Sequence, residues 1–281
     1  MIKYVPYYIR LIRPVNLCLI FFTQLIFVLK ATDFQLSSII LPDFFLIVSS
    51  IIFTTAAGYV VNDLFDIEID KINKPLKQFI PKPISFKAAK IFYFVLVSLS
   101  LILAFLFGRS FLAMVIAVNI LLYFYSQDLK KSVLFGNLLV SFLSGMVVFT
   151  TTYACFNNAN TFYALYSLLA FLMTMSREII KDMQDMDGDE AHGAKTLPIV
   201  YGVRASKWAA SICIALLVIV LLFIAFKTNK MPYWLSIGTL LGWFIFTAQQ
   251  MWLATKSSEY GRVSLLLKAG IFAGISSVLL V

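Results

Sequence analysis

The chain has 281 residues, 61% of them hydrophobic and 13% charged, with a formal net charge of +9. That balance is too apolar for a soluble domain and is typical of a polytopic membrane protein. The basic excess follows from loop charge asymmetry and headgroup attraction, so it does not argue for a nucleic-acid partner.

A membrane-spanning helix needs about 20 mostly apolar residues. In chain order, nine segments qualify: about 14–31, 42–61, 88–107, 110–126, 133–152, 161–177, 206–226, 232–254 and 263–281. The expected fold is all-α, a bundle of nine transmembrane helices forming one domain over residues 1–281. The first run has no small-residue cleavage site after it and reads as a retained helix rather than a signal peptide. The fifth carries Gly136, Ser141, Ser144 and Gly145, small residues that suit close helix packing. Alternating strand-type patterning is absent, which argues against a membrane β-barrel.

Lysines and arginines set the orientation. With nine spans, Lys30, Arg109, Lys227 and Lys230 fall on one side, and Lys268 lies inside the last span. All other Lys and Arg residues fall on the opposite side, together with the N-terminus. The expected location is the cell membrane, with the N-terminus cytoplasmic and the C-terminus outside. Cys18, Cys155 and Cys213 fit no metal-ligand spacing and read as small packing residues. His192 is the single histidine, so a site built on several histidines is excluded by inventory.

Two acidic clusters break the apolar pattern. Asp63, Asp66 and Asp70 are spaced three and four apart, and Asp182, Asp185 and Asp189 repeat that spacing. On a helix this places three carboxylates on one face, with Asn62 joining the first set. Lined-up carboxylates repel, and each costs about 2.5–3.5 kcal/mol at a bilayer centre, less toward its surface. A divalent cation offsets that repulsion. Mg²⁺ takes one or two protein carboxylates and keeps its other positions for water and substrate phosphates. Two facing carboxylate helices with Mg²⁺ between them would clamp a diphosphate. Lys74 and Lys77 follow the first cluster, Lys195 follows the second and Lys130 lies between the fourth and fifth spans, and all four suit phosphate oxygens. The positive-inside bias alone accounts for Lys71, Lys87 and Lys90.

In combination these motifs identify a family. The segment "NDLFDIEIDKINKP" resembles the first Asp-rich motif of the UbiA superfamily of intramembrane prenyltransferases. "KDMQDMDGDEAHGAKTLPIVYG" resembles its second, and "LIRPVN" resembles the start of its first helix. The resemblance implies Mg²⁺ bound by Asn62, Asp66, Asp70, Asp182, Asp185 and Asp189. It implies Tyr125 and Lys130 as a catalytic pair alongside Asp66, Asp70, Asp185 and Asp189. Asn62, Asp63, Lys74, Lys77, Asp182, Lys195, Arg13 and Arg177 would then contact substrate. The segment "PLKQFIPKPIS" departs from the family pattern, with Gln78 and Lys82 in unusual places.

The implied reaction moves a prenyl group from an isoprenyl diphosphate to a lipophilic acceptor inside the membrane, among membrane lipids. The text resembles most the branch that joins geranylgeranyl diphosphate to geranylgeranylglyceryl phosphate in ether-lipid synthesis. An aromatic acceptor, 4-hydroxybenzoate or 1,4-dihydroxy-2-naphthoate, is the alternative, with Arg13 or Arg177 to meet the acid. A membrane transporter is the rival of another class. Most spans, however, lack the mid-membrane ionisable residues a transporter needs.

Overall fold

The computed structural model describes residues 4–34, 42–73, 75, 78–156 and 161–280, the side chains of 153–156 excepted. Two of the expected phosphate-binding residues, Lys74 and Lys77, lie outside the described residues. The described chain is helical, with no strand. It divides into two compact units: residues 1–130 with 154–156, and residues 131–153 with 157–281.

The N-terminal unit holds α1 (Val5–Leu11), α2 (Pro14–Ala31), α3 (Pro42–Phe65), α4 (Ile67–Asn73), α5 (Phe86–Phe107) and α6 (Arg109–Gln127). Proline at the start of α2 costs no hydrogen bond, because the first helical N–H groups have no intrahelical acceptor. Helix α3 is the centre of this unit and packs on α2, α5 and α6. Its Ala56, Ala57 and Val60 are almost fully buried and join Leu96, Ala89, Ile80 and Ile84 in one core. Gly58 lets α6 approach, since a Cβ there would stand 3.1 Å from Leu122. Buried polar groups stitch the helices together where water is absent. Ser50 donates to the Ser100 carbonyl at 2.9 Å, and Asn119 Nδ2 donates to Ser100 Oγ at 3.5 Å.

The C-terminal unit holds most of α7 (Phe135–Phe156), then α8 (Thr161–Gln184), α9 (Met186–Ala191), α10 (Leu197–Thr228), α11 (Met231–Leu253) and α12 (Ser257–Ser277). Helix α8 is its centre and packs on α10 and α12. It also lies close to α7, because a Cβ on Gly145 would stand only 2.8 Å from the Ser167 carbonyl oxygen. Helix α10 kinks at Gly202, whose φ of +84° is open to glycine and strained for other residues.

Eight helices among the described residues are long and apolar enough to cross a membrane: α2, α3, α5, α6, α7, α10, α11 and α12. The remaining expected span, 161–177, falls in α8, which has sufficient length but more polar residues and is not among the eight. Its Leu172–Ser176 stretch is buried within the protein. A helix walled by other helices needs less apolar surface than one facing lipid, so its lower hydropathy follows from its place in the bundle.

Candidate active site

Each acidic motif sits where a long helix breaks. Helix α3 ends at Phe65, Asp66 lies outside regular helix, and α4 starts at Ile67. Helix α8 ends at Gln184, Asp185 has φ −96° and ψ 8°, and α9 starts at Met186. The expectation of one continuous carboxylate face is therefore corrected to a long helix and a short one meeting at the central aspartate. The turn spacing survives the break. Asp66 N–H donates to the Asn62 carbonyl at 2.9 Å, and Asp70 N–H donates to that of Asp66 at 2.7 Å. In the second motif, Asp185 N–H donates to Lys181 at 2.8 Å and Asp189 N–H to Asp185 at 3.2 Å.

In the N-terminal unit, Asn62, Asp66 and Lys130 come together. Asn62 Nδ2 donates to Asp66 Oδ2 at 2.7 Å, and Lys130 Nζ donates to Asp66 Oδ1 and, at 3.4 Å, to Asn62 Oδ1. Lys130 comes from the 3-10 turn Leu129–Lys131, just past α6 and five residues after the half-buried Tyr125. Arg13 turns away from this group. Its Nη2 donates to Asp63 Oδ1 at 2.6 Å, and its guanidinium lies 4.7 Å from the centre of the Tyr59 ring. Burial works against the Arg13 charge, but Asp63 and Tyr59 more than compensate and raise its pKa above the usual value.

In the C-terminal unit, Asn137 Nδ2 donates to Asp182 Oδ2 at 2.8 Å. Asp182 lies on the last turn of α8, beyond the apolar stretch expected to end near residue 177. Burial pushes its carboxyl up to about 8, against the pull of the Asn137 hydrogen bond. Arg177 pairs with Glu178 at 2.8 Å, and Lys181 reaches the same carboxylate at 3.0 Å. After Asp189 the chain turns sharply. His192 N–H and Ala194 N–H both donate to the Asp189 carbonyl, at 3.2 and 2.9 Å. The exposed Lys195 follows, its N–H bound to the Lys131 carbonyl at 2.7 Å. Lys71, read as a loop charge, pairs with exposed Glu68.

Three partners escaped the sequence reading: Asn137, Glu178 and Tyr59. Glu178 has a legible signal, since Lys181 lies three residues on. Asn137 offers only a weaker one, an amide at the head of an apolar helix.

The donors suit Mg²⁺. They are carboxylate and amide oxygens, the hard ligands that ion prefers. Among the described residues no three Asp, Glu, His or Cys side chains converge on one point. Mg²⁺ does not require such a cage, because water and substrate phosphates complete its shell.

Comparison with known proteins connects this arrangement to an activity. A model of the UbiA prenyltransferase family matches residues 20–268. A digeranylgeranylglyceryl phosphate synthase of Methanothermobacter thermautotrophicus is 38% identical over 201 residues, 71% of this chain and 68% of that one. The same enzyme of Thermococcus sibiricus is 30% identical over 275 residues, covering 97% of this chain and 96% of its own. A solved structure concerned with digeranylgeranylglyceryl phosphate synthase in membranes superposes with a TM-score of 0.71 at 27% identity, covering 98% and 97% of the two chains. A UbiA homologue from Archaeoglobus fulgidus bound to GPP and Mg²⁺ shares the fold, with a TM-score of 0.65 at 19% identity over 96% of this chain and 99% of that one. By these matches the chain belongs to the UbiA prenyltransferase family and is a multi-pass membrane prenyltransferase.

Proposed function

We propose that the chain transfers the geranylgeranyl group of geranylgeranyl diphosphate to geranylgeranylglyceryl phosphate, with Mg²⁺ as cofactor. The observation that carries this reading is the 30% identity, over 97% of the chain, to an enzyme named for the product of that reaction. Asn62, Asp66 and Asp70, with Asp182, Asp185 and Asp189, hold Mg²⁺. When bound, Mg²⁺ neutralises the diphosphate and eases its departure. Lys130, Lys195, Lys74 and Lys77 take diphosphate oxygens. Tyr125 lines the reacting end. Asp63, Arg13 and Arg177 shape the substrate walls. The allylic C–O bond breaks, its electron pair leaves with the diphosphate, and a glycerol hydroxyl oxygen bonds to the freed carbon and loses its proton.

One observation bears on the aromatic alternative. Both arginines offered for an acid acceptor already have carboxylate partners, Arg13 on Asp63 and Arg177 on Glu178. This favours the phosphate-bearing acceptor. The basic-loop asymmetry supports a cytoplasmic N-terminus, an outside C-terminus and both acidic motifs at the cytoplasmic surface of a single transmembrane domain.

Diphosphate release tests the proposal. Purified protein in detergent receives geranylgeranyl diphosphate and Mg²⁺ with each acceptor in turn, beside an Asp66→Ala, Asp185→Ala double variant. Release with geranylgeranylglyceryl phosphate, absent in the variant, is expected. Release only with 4-hydroxybenzoate or dihydroxynaphthoate would transfer the protein to the quinone branch.

A further inference from the structure

We propose that Gln78 and Ser257 are positioning residues, each fixing the helix break of one acidic motif so that Asp66 and Asp185 are set for Mg²⁺ and diphosphate. The inference rests on the Mg²⁺–diphosphate reading above. A backbone carbonyl oxygen has two lone pairs, so one beside a helix break can accept a side-chain donor as well as a backbone N–H and be held from both sides. In each unit one neutral side chain reaches the carbonyl adjacent to the central aspartate. Gln78 Nε2 donates to the carbonyl of Ile67, the residue after Asp66. Ser257 Oγ donates at 2.8 Å to the carbonyl of Gln184, the residue before Asp185.

Both donors are anchored from behind. Beside Gln78, the Phe79 ring lies 6.1 Å from that of Tyr7, Ile84 N–H donates to the Phe79 carbonyl at 3.0 Å, and Ile80 and Ile84 are 1% and 2% exposed. Ser257 opens α12, where Glu259 accepts from the N–H groups of Thr255 and Lys256 at 2.7 and 3.0 Å. Behind it, the buried Lys207 donates to the carbonyls of Trp252 and Ala254 at 3.0 and 2.7 Å, and Tyr260 donates to that of Ala254 at 3.0 Å. An amide or a hydroxyl can hold a carbonyl without adding a positive charge that competes with a metal ion for the carboxylates. Gln78 is also one of the two residues, with Lys82, at which the loop departs from the family pattern.

The test compares Gln78→Met, Ser257→Ala and Ser257→Thr in the full chain. The first readout is amide hydrogen exchange in EDTA. Gln78→Met is expected to quicken exchange over residues 62–70 and leave 181–189 as in the wild-type chain. Ser257→Ala should do the reverse, and Ser257→Thr, which keeps the hydroxyl, should match wild type. The second readout is the Mg²⁺ concentration giving half-maximal turnover of geranylgeranyl diphosphate. It should rise about tenfold in Gln78→Met and Ser257→Ala, the usual scale for removing a support behind a metal ligand, and stay near wild type in Ser257→Thr. Unchanged exchange, faster exchange spread through a whole unit, or lost turnover with an unmoved Mg²⁺ midpoint would each overturn the proposal. Wild-type turnover indifferent to EDTA would instead remove the metal reading on which it rests.

Discussion

Lys130→Met isolates the best-defined interaction of the first motif. Lys130 and Asp66 are each 13% exposed, so the ion pair is largely shielded from water. Removing one partner of such a pair leaves an uncompensated charge and costs about 3–5 kcal/mol. Asp66 keeps the Asn62 hydrogen bond at 2.7 Å, which argues for the lower end, about 3 kcal/mol. That corresponds to a fall of roughly 5 °C in Tm for a chain of this size. The assay is thermal unfolding in detergent without Mg²⁺ or substrate, extended to Asp66→Asn and the double variant. Once both charges are gone neither is stranded, so the double variant should unfold close to the milder single variant. The coupling energy should then match the loss of the harsher single variant, about 3 kcal/mol in magnitude. Additive losses would show that the two side chains do not stabilise one another and would refute the pairing.

Asn137→Leu removes a donor to Asp182 while nearly keeping side-chain volume. Burial holds the folded Asp182 pKa near 8, above its ordinary 3.8, so its contribution to stability is complete at low pH and is lost as pH rises through 8. Without Asn137 that pKa moves further up. The variant's deficit should be small at pH 6 and reach about 1–2 kcal/mol at pH 9, read from Tm against pH in EDTA. Gly145→Ala places a methyl 2.8 Å from the Ser167 carbonyl oxygen, forcing α7 and α8 apart. It should cost about 1–3 kcal/mol in the same unfolding assay. Gly202→Ala has open space for its methyl but an unfavourable φ of +84°. A loss of about 1–2 kcal/mol from backbone strain alone is expected.

Much of the bundle was legible because an apolar run of membrane length is a direct physical requirement. The expected 14–31 is α2, Pro14–Ala31, and all but the first two residues of the expected 133–152 lie in α7, Phe135–Phe156. Helix α8 was less legible, since its neighbours rather than its own hydropathy shield it. Both motifs could be found from spacing, but their breaks could not. Three-and-four spacing suits a continuous helix as well as two helices joined at Asp66 or Asp185. The carbonyl donors at the two breaks come from Gln78, beyond α4, and from Ser257, more than seventy residues past Asp185. Asn137 poses the same difficulty: an amide in an apolar helix signals a partner without saying which.

The two units meet one requirement by different means. The carboxylate spacing is identical in both, and each break falls at the central aspartate. The supports differ: a lysine on Asp66 in one unit and an asparagine on Asp182 in the other. At the neighbouring carbonyls, a glutamine amide stands in one unit and a serine hydroxyl in the other. If the breaks served packing alone, nothing would tie the carboxylates to one spacing, because either helix could bend at a glycine, as α10 does at Gly202. Matched carboxylates on unmatched supports place the requirement on the acids themselves. The proposed chemistry on a diphosphate would supply that requirement, since Mg²⁺ ligands must present their oxygens at set places however the protein behind them holds those ligands.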